Sequence, residues 1–128
     1  MSNPAVMPYG EAGDLPSVRA FVREQAEASG LDPGSIEALA IAVSELVTNT
    51  LQHTTGGGQV RVWAEHAAVF CDVADGGAVP SFPRAMPAPD AERGRGLAIV
   101  EMLCDDVTTI AEPGRTVVRL RFATKPRH

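Results

Sequence analysis

Between Asp32 and His53 the chain carries a helical repeat of apolar residues, interrupted by polar ones on one side only. At about 100° per residue, Ile36, Leu39, Ala40, Val43, Leu46, Val47, Thr50 and Leu51 crowd one face. Glu45, Asn49 and Gln52 cluster roughly opposite, with His53 at their edge. Asp32 offers a capping oxygen, Pro33 is tolerated in the first turn, and Thr54-Thr55-Gly56-Gly57-Gly58 breaks the pattern. A helix this long has to lay its apolar stripe on a second layer, so it forms the floor of the architecture and keeps a polar upper surface.

That upper surface is chemically unusual. Glu45 and Asn49 stand one turn apart, and neither neutralises the other as a Glu–Lys pair would. An ionised Glu accepts protons or hydrogen bonds, whereas Asn offers a neutral carbonyl oxygen that suits a hard divalent cation and an amide that donates. Together they are equipped to activate a hydroxyl and to hold magnesium beside phosphates. The bland alternative is that both simply face water.

The chain has 128 residues, enough for one compact domain spanning 1–128 with a real core. Its net charge of −5 and pI near 5.1 argue against nucleic-acid binding, because the basic residues are spread along the sequence and form no dense run. A protein partner or a cation-bound ligand fits better. Cys71 and Cys104 form no Cys-x-x-Cys unit, and apolar neighbours mark them as buried small hydrophobes rather than redox groups. Nothing resembles a signal peptide, and no apolar run reaches the roughly 18 residues that span a bilayer. The expectation is a cytoplasmic protein with no membrane contact.

Upstream, Asp14 and Pro16 open a second amphipathic helix through Leu15, Val18, Phe21, Val22 and Ala26, closed by Ser29-Gly30. A short extra strand around Ala5 to Met7 precedes it. Downstream, Val60, Val62 and Ala64 alternate with Arg61, Trp63 and Glu65. Val69, Cys71 and Val73 alternate with Phe70 and Asp72, the period of two expected of strands. Trp63 reads as a packing or interface residue. Asp75-Gly76-Gly77 then leads into a stretch with Pro80, Pro83, Pro87 and Pro89 that reads as a long loop. Gly94-Arg95-Gly96 feeds a helix beginning at Leu97, and such an end presents free N–H groups and partial positive charge. Val107 to Ala111 and Thr116 to Phe122 finish as two strands joined across Glu112-Pro113-Gly114-Arg115, and Lys125 to His128 form a frayed tail. Hairpin-linked strands with helices to one side predict an α+β two-layer sandwich, its sheet antiparallel or mixed.

Three separated features are candidates to meet at one pocket: the Glu45/Asn49 face, the Asp75-Gly76-Gly77 turn and the Gly94-Arg95-Gly96-Leu97 helix start. A nucleotide asks for all three kinds of group, because phosphates need backbone donors and a metal, a purine amine needs an acceptor, and glycine lets the chain approach both. In their order and spacing these segments resemble the GHKL (Bergerat-fold) ATPases, and within them the anti-sigma-factor serine/threonine kinases of the RsbW and SpoIIAB type. Glu45-Leu46-Val47-Thr48-Asn49 is similar to that family's N-box, Asp75-Gly76-Gly77 to its adenine-binding turn, and Gly94-Arg95-Gly96-Leu97 to its second glycine box. Gly114-Arg115-Thr116-Val117 resembles the segment before its last strand.

The resemblance covers nearly the whole chain and implies a Bergerat fold with a mixed, mostly antiparallel sheet covered on one face by helices. ATP and magnesium would sit between the helices under a lid running from Pro80 to Arg93. It implies Glu45 as general base toward a partner's serine or threonine hydroxyl, Asn49 as magnesium ligand, and Asp75 as acceptor of the adenine amine. Gly77, Gly94, Gly96, Leu97, Arg95 and Thr116 would complete the nucleotide contacts, with His53 at the helix end near the phosphates. Arg84 and Arg93 read as solvated lid residues. The implied partners are a sigma factor and an anti-sigma antagonist, with a homodimer possible. One departure stands out: where the family's turn reads Asp-x-Gly-x-Gly, the last position here is Val79, a β-branched residue that does not readily adopt positive φ. Two other readings compete, a non-catalytic ATP-dependent protein-binding module and the ATPase domain of a histidine kinase acting in trans.

Overall fold

The computed structural model describes residues 4–53, 57–75, 98–113 and 115–124. Its elements run β1 (Ala5–Tyr9), a 3-10 turn (Ala12–Asp14), α1 (Leu15–Ala28), α2 (Pro33–His53), β2 (Gly58–Glu65), β3 (Ala68–Asp75), β4 (Asp106–Glu112) and β5 (Arg115–Ala123). Residues 98–103 are helical.

Local chemistry sets these boundaries. The Asp32 carboxylate accepts from the Ser35 backbone N–H at 3.1 Å and from the Ser35 hydroxyl at 2.8 Å, capping α2. Asp14 precedes α1 but turns its carboxylate backward, accepting from the Gly10 and Glu11 amides at 2.8 and 3.1 Å. It therefore fixes the connection out of β1 rather than the helix end. Gly30, at φ 91, closes α1, with Gly30 N bonded to Glu27 O and Leu31 N to Ala26 O, the paired bonds of a Schellman motif.

The strands form one five-stranded sheet in the order β1-β2-β3-β5-β4. All four pairings are antiparallel. The anticipated strand near Ala5 extends to Tyr9 and forms an edge. The β2–β3 hairpin turns on His66 and Ala67, both at positive φ, which matches the right-handed strand twist although neither residue is glycine. The Ala67 carbonyl accepts from the Thr124 amide and hydroxyl, each at 2.9 Å, which steadies that strained pair.

One face of the sheet takes the helices. Val18, Val22 and Ala26 of α1 and Leu39, Val43, Leu46 and Val47 of α2 pack with Val60, Val62, Val69, Cys71, Leu120 and Phe122 in a single buried cluster. Both cysteines are free. Cys71 is wholly buried, and burial pushes the Cys104 thiol up to about 12. Thiolate chemistry near neutral pH is accordingly disfavoured, as their apolar neighbours imply.

On the opposite face a polar network does what apolar packing does elsewhere. Asp72 is 1% exposed, its carboxylate bridged by Arg119 at 2.7 and 2.9 Å and by Arg61 at 3.0 Å. Both guanidiniums lie over the Trp63 ring, which stacks on Phe70 with centroids 5.4 Å apart. The bond to Asp72 raises the Arg119 pKa above its ordinary value. In Asp72→Ala the two arginines, each about a third exposed, can turn to water. The expected loss is therefore about 2 kcal/mol, below the roughly 3–5 kcal/mol of a fully buried pair. Urea unfolding measures it, and an unchanged midpoint would show the network to be energetically idle.

Candidate functional site

The C-terminal half of α2 carries the polar face read from the sequence. Glu45 and Asn49 are both half-buried on this helix, one turn apart, while Gln52 is exposed. His53 is the last residue of α2, and its side chain lies outside the described residues. The apolar face is broader than helical spacing alone indicated, with Ala42 also buried, and Ile41 stands 48% exposed on the far side.

Asp75 ends β3. Its carboxylate Oδ1 accepts from the Thr116 backbone N–H at 3.2 Å, one position beyond the last β3–β5 pair, Ala74 with Val117. The side chain thus continues a ladder that the backbone has left, and it brings two of the anticipated nucleotide residues together.

Neighbouring this carboxylate is a residue that sequence reading passed over. Tyr9 closes β1, is 4% exposed, and donates its hydroxyl to the Ala74 carbonyl at 2.9 Å. Thr50 of α2, the residue after Asn49, hydrogen-bonds the same phenol. Burial pushes the Tyr9 pKa up to about 12, the Thr50 bond works against that rise, and the nearby Asp75 charge adds to it. Tyr9 therefore joins the end of β3 to α2, next to the Glu45/Asn49 surface. Nothing in a lone tyrosine near the N-terminus signals this role. The apolar segment read from the sequence, Ala5 to Met7, stops short of it, and only the longer strand of the structure includes it.

Gly57, just before β2, and Gly58, its first residue, make the approach possible. A Cβ at Gly57, which sits at φ 68, would run into the Tyr9 carbonyl oxygen, and one at Gly58 into the Ala74 carbonyl oxygen. This part of the glycine run, where the helical pattern breaks, is a close backbone crossing.

The arrangement offers a fixed carboxylate at a strand end, next to a helix whose polar face carries a second carboxylate and an amide. Among the described residues no group of three or more His, Cys, Asp or Glu side chains is placed to hold a metal. Any divalent cation here would rest on one or two protein ligands and on oxygens of its substrate, the habit of magnesium. Gly77, Val79, the expected Pro80 to Arg93 lid with Arg84, and Gly94, Arg95, Gly96 and Leu97 lie outside the described residues.

The sequence family described as "Histidine kinase-like ATPase domain" matches residues 10–122. The RsbU and RsbW domains of Rv1364c from Mycobacterium tuberculosis align with a TM-score of 0.72 and 22% identity, over 98% of this chain and 34% of that one. This chain thus spans about a third of that protein chain's length. The Acinetobacter baumannii histidine kinase AdeS aligns with a TM-score of 0.55 and 6% identity, over 98% of this chain and 70% of that one. No curated protein sequence matches. At such identities the structural likeness speaks for the fold, and that fold, an antiparallel sheet backed by helices, is the GHKL or Bergerat ATPase fold.

Proposed function

Because this chain belongs to the histidine kinase-like ATPase domain family, we propose that it binds ATP and acts as an anti-sigma-type regulator. In this reading it holds a sigma factor and phosphorylates a serine or threonine hydroxyl on an antagonist protein. The observation that carries the proposal is the meeting of the Asp75 strand end with the polar half of α2 around Tyr9. In this reading the Asp75 carboxylate serves the base, while Glu45 and Asn49, on the helix that also carries Thr50, serve the phosphate side.

Asp75 accepts from the adenine amine, with Thr116 beside it. Asn49 offers its side-chain oxygen to magnesium, which when bound neutralises charge on the phosphates. Glu45, one turn earlier, takes the proton of the incoming hydroxyl. That oxygen bonds to the γ-phosphorus while the bond to the β–γ bridging oxygen breaks, and ADP leaves. Such transfer asks for positioning and charge stabilisation rather than a covalent enzyme intermediate. His53, Gly94, Arg95, Gly96 and Leu97 serve the phosphates in the same proposal, and Gly77 belongs to the turn that approaches the adenine. We place the protein in the cytoplasm, as one domain that is able to pair as a homodimer. Among the described residues no helix is long and apolar enough to cross a membrane.

Calorimetric titration with ATP, with and without magnesium, beside Asn49→Ala tests the pocket. Saturable, magnesium-dependent binding is expected, and loss of a direct ligand should weaken it by more than the roughly tenfold typical of outer-shell changes. No binding at millimolar ATP would remove the proposal. Val79 at the last glycine position of the turn favours a second reading, in which ATP only shapes a protein-binding surface. Nucleotide-dependent partner binding without phosphate transfer is its signature.

A further inference from the structure

We propose that Tyr9 is a positioning residue for Asp75, and that its hydroxyl sets the preference for adenine over a purine lacking the exocyclic amine. The inference rests on the reading of Asp75 as the adenine acceptor and deepens it.

The Ala74 carbonyl and the Asp75 N–H belong to one rigid unit. Holding the Ala74 oxygen therefore fixes the plane from which the Asp75 Cα–Cβ bond projects. Tyr9 holds that oxygen at 2.9 Å from a site that is almost wholly buried. Thr116 holds the other end of the same residue, through its backbone N–H on Oδ1. Between these two pins the carboxylate has little freedom to swing, and its oxygens present one direction to a ligand.

The phenol is itself held. Thr50 bonds it from α2, β1 pairs Tyr9 with Gly58 across the ladder, and the absence of side chains at Gly57 and Gly58 lets the strands close around it. A buried hydroxyl costs free energy unless it is bonded. A phenylalanine would fill the same space without that requirement, so the hydroxyl is accounted for by what it holds. What it holds is the backbone unit leading into Asp75.

Specificity follows from geometry. A carboxylate aimed at an amine donor favours adenine, because a hypoxanthine ring presents a carbonyl oxygen there and leaves the carboxylate facing another acceptor. Loosening the carboxylate should erode this discrimination more than it erodes the binding of ribose and phosphates.

The test uses the full chain and titrates ATP and inosine triphosphate against the unaltered protein, Tyr9→Phe and Thr50→Val. The unaltered protein should prefer ATP. Tyr9→Phe should lower the ATP-to-inosine-triphosphate affinity ratio by about tenfold, the equivalent of 1.4 kcal/mol, while inosine triphosphate affinity stays within about twofold. Thr50→Val, which frees one side of the phenol, should move the ratio in the same direction by less. Equal weakening of both nucleotides would mark Tyr9 as merely structural and overturn the proposal, as would an unchanged ratio in both variants. If Tyr9→Phe does not fold, the Thr50→Val ratio decides alone. An unaltered protein that binds ATP without preferring it removes Asp75 from the adenine role. One that binds neither nucleotide overturns the ATP reading itself, and this proposal with it.

Discussion

Glu45→Gln is expected to lower phosphate transfer to a protein hydroxyl by at least about 10², the usual contribution of a positioned general base, while ATP affinity stays within a few-fold. Glutamine keeps the length and planarity of the side chain and its capacity to accept a hydrogen bond, but it cannot take up the hydroxyl proton. Glu45 is half-buried on α2, in the helical stretch whose next turn carries Asn49. The amide can therefore remain in place without leaving a buried charge unpaired. Transfer of labelled phosphate from ATP to a candidate antagonist provides the readout, with calorimetric ATP binding measured on the same preparations. Equal labelling by both proteins would remove Glu45 from its role as base. A parallel loss of ATP binding would place Glu45 in nucleotide binding instead of proton transfer. If even the unaltered protein transfers nothing yet holds a partner only when nucleotide is present, the non-catalytic reading prevails.

The parts of this fold that were legible in the sequence are those written in local periodicity. The helices α1 and α2, the β2–β3 hairpin and the two last strands all announce themselves through spacings of 3.6 or 2, and the structure places them accordingly. The Asp32 cap and the Gly30 stop were equally readable, because the chemistry of a helix end sits within a few residues. What escaped depends on register between distant segments. Asp72 alternates with core residues and so reads as a solvent-side carboxylate. It is buried because Arg61 stands opposite it on β2 and Arg119 on β5. Likewise β5 inserts between β3 and β4, an order that no hairpin pattern dictates. At the candidate site, Glu45, Asn49 and Asp75 stood out by residue type and neighbours. Tyr9 acquires meaning only once β1 pairs with β2 and brings its phenol to Ala74, 65 residues away in the chain.

Gly58→Ala should produce the largest stability loss among conservative changes near this site, about 3 kcal/mol, the upper part of the range for forcing atoms into a packed region. In thermal unfolding that corresponds to a drop on the order of 10 °C for a domain of this size. Gly58 lies opposite Tyr9 on one side and Asp75 on the other. An added methyl would collide with the Ala74 carbonyl oxygen and stand 2.9 Å from the Asp75 Cα. Both are backbone atoms, unable to swing aside as the tip of a flexible side chain would. Relief therefore requires the end of β3 to shift or the first rungs of β2 to open, and either movement disturbs the Ala74 carbonyl that Tyr9 holds. Nucleotide affinity should fall together with stability, since Asp75 moves with its strand. Gly34→Ala in the first turn of α2 is the control. There the added carbon meets nothing nearer than the Asp32 carboxylate oxygen at 3.4 Å, and the helix should gain up to about 0.5 kcal/mol through the reduced freedom of the unfolded chain. A Gly58→Ala protein as stable as the parent would mean that β2 and β3 do not close on one another there, and the arrangement that aims Asp75 would lose its physical basis.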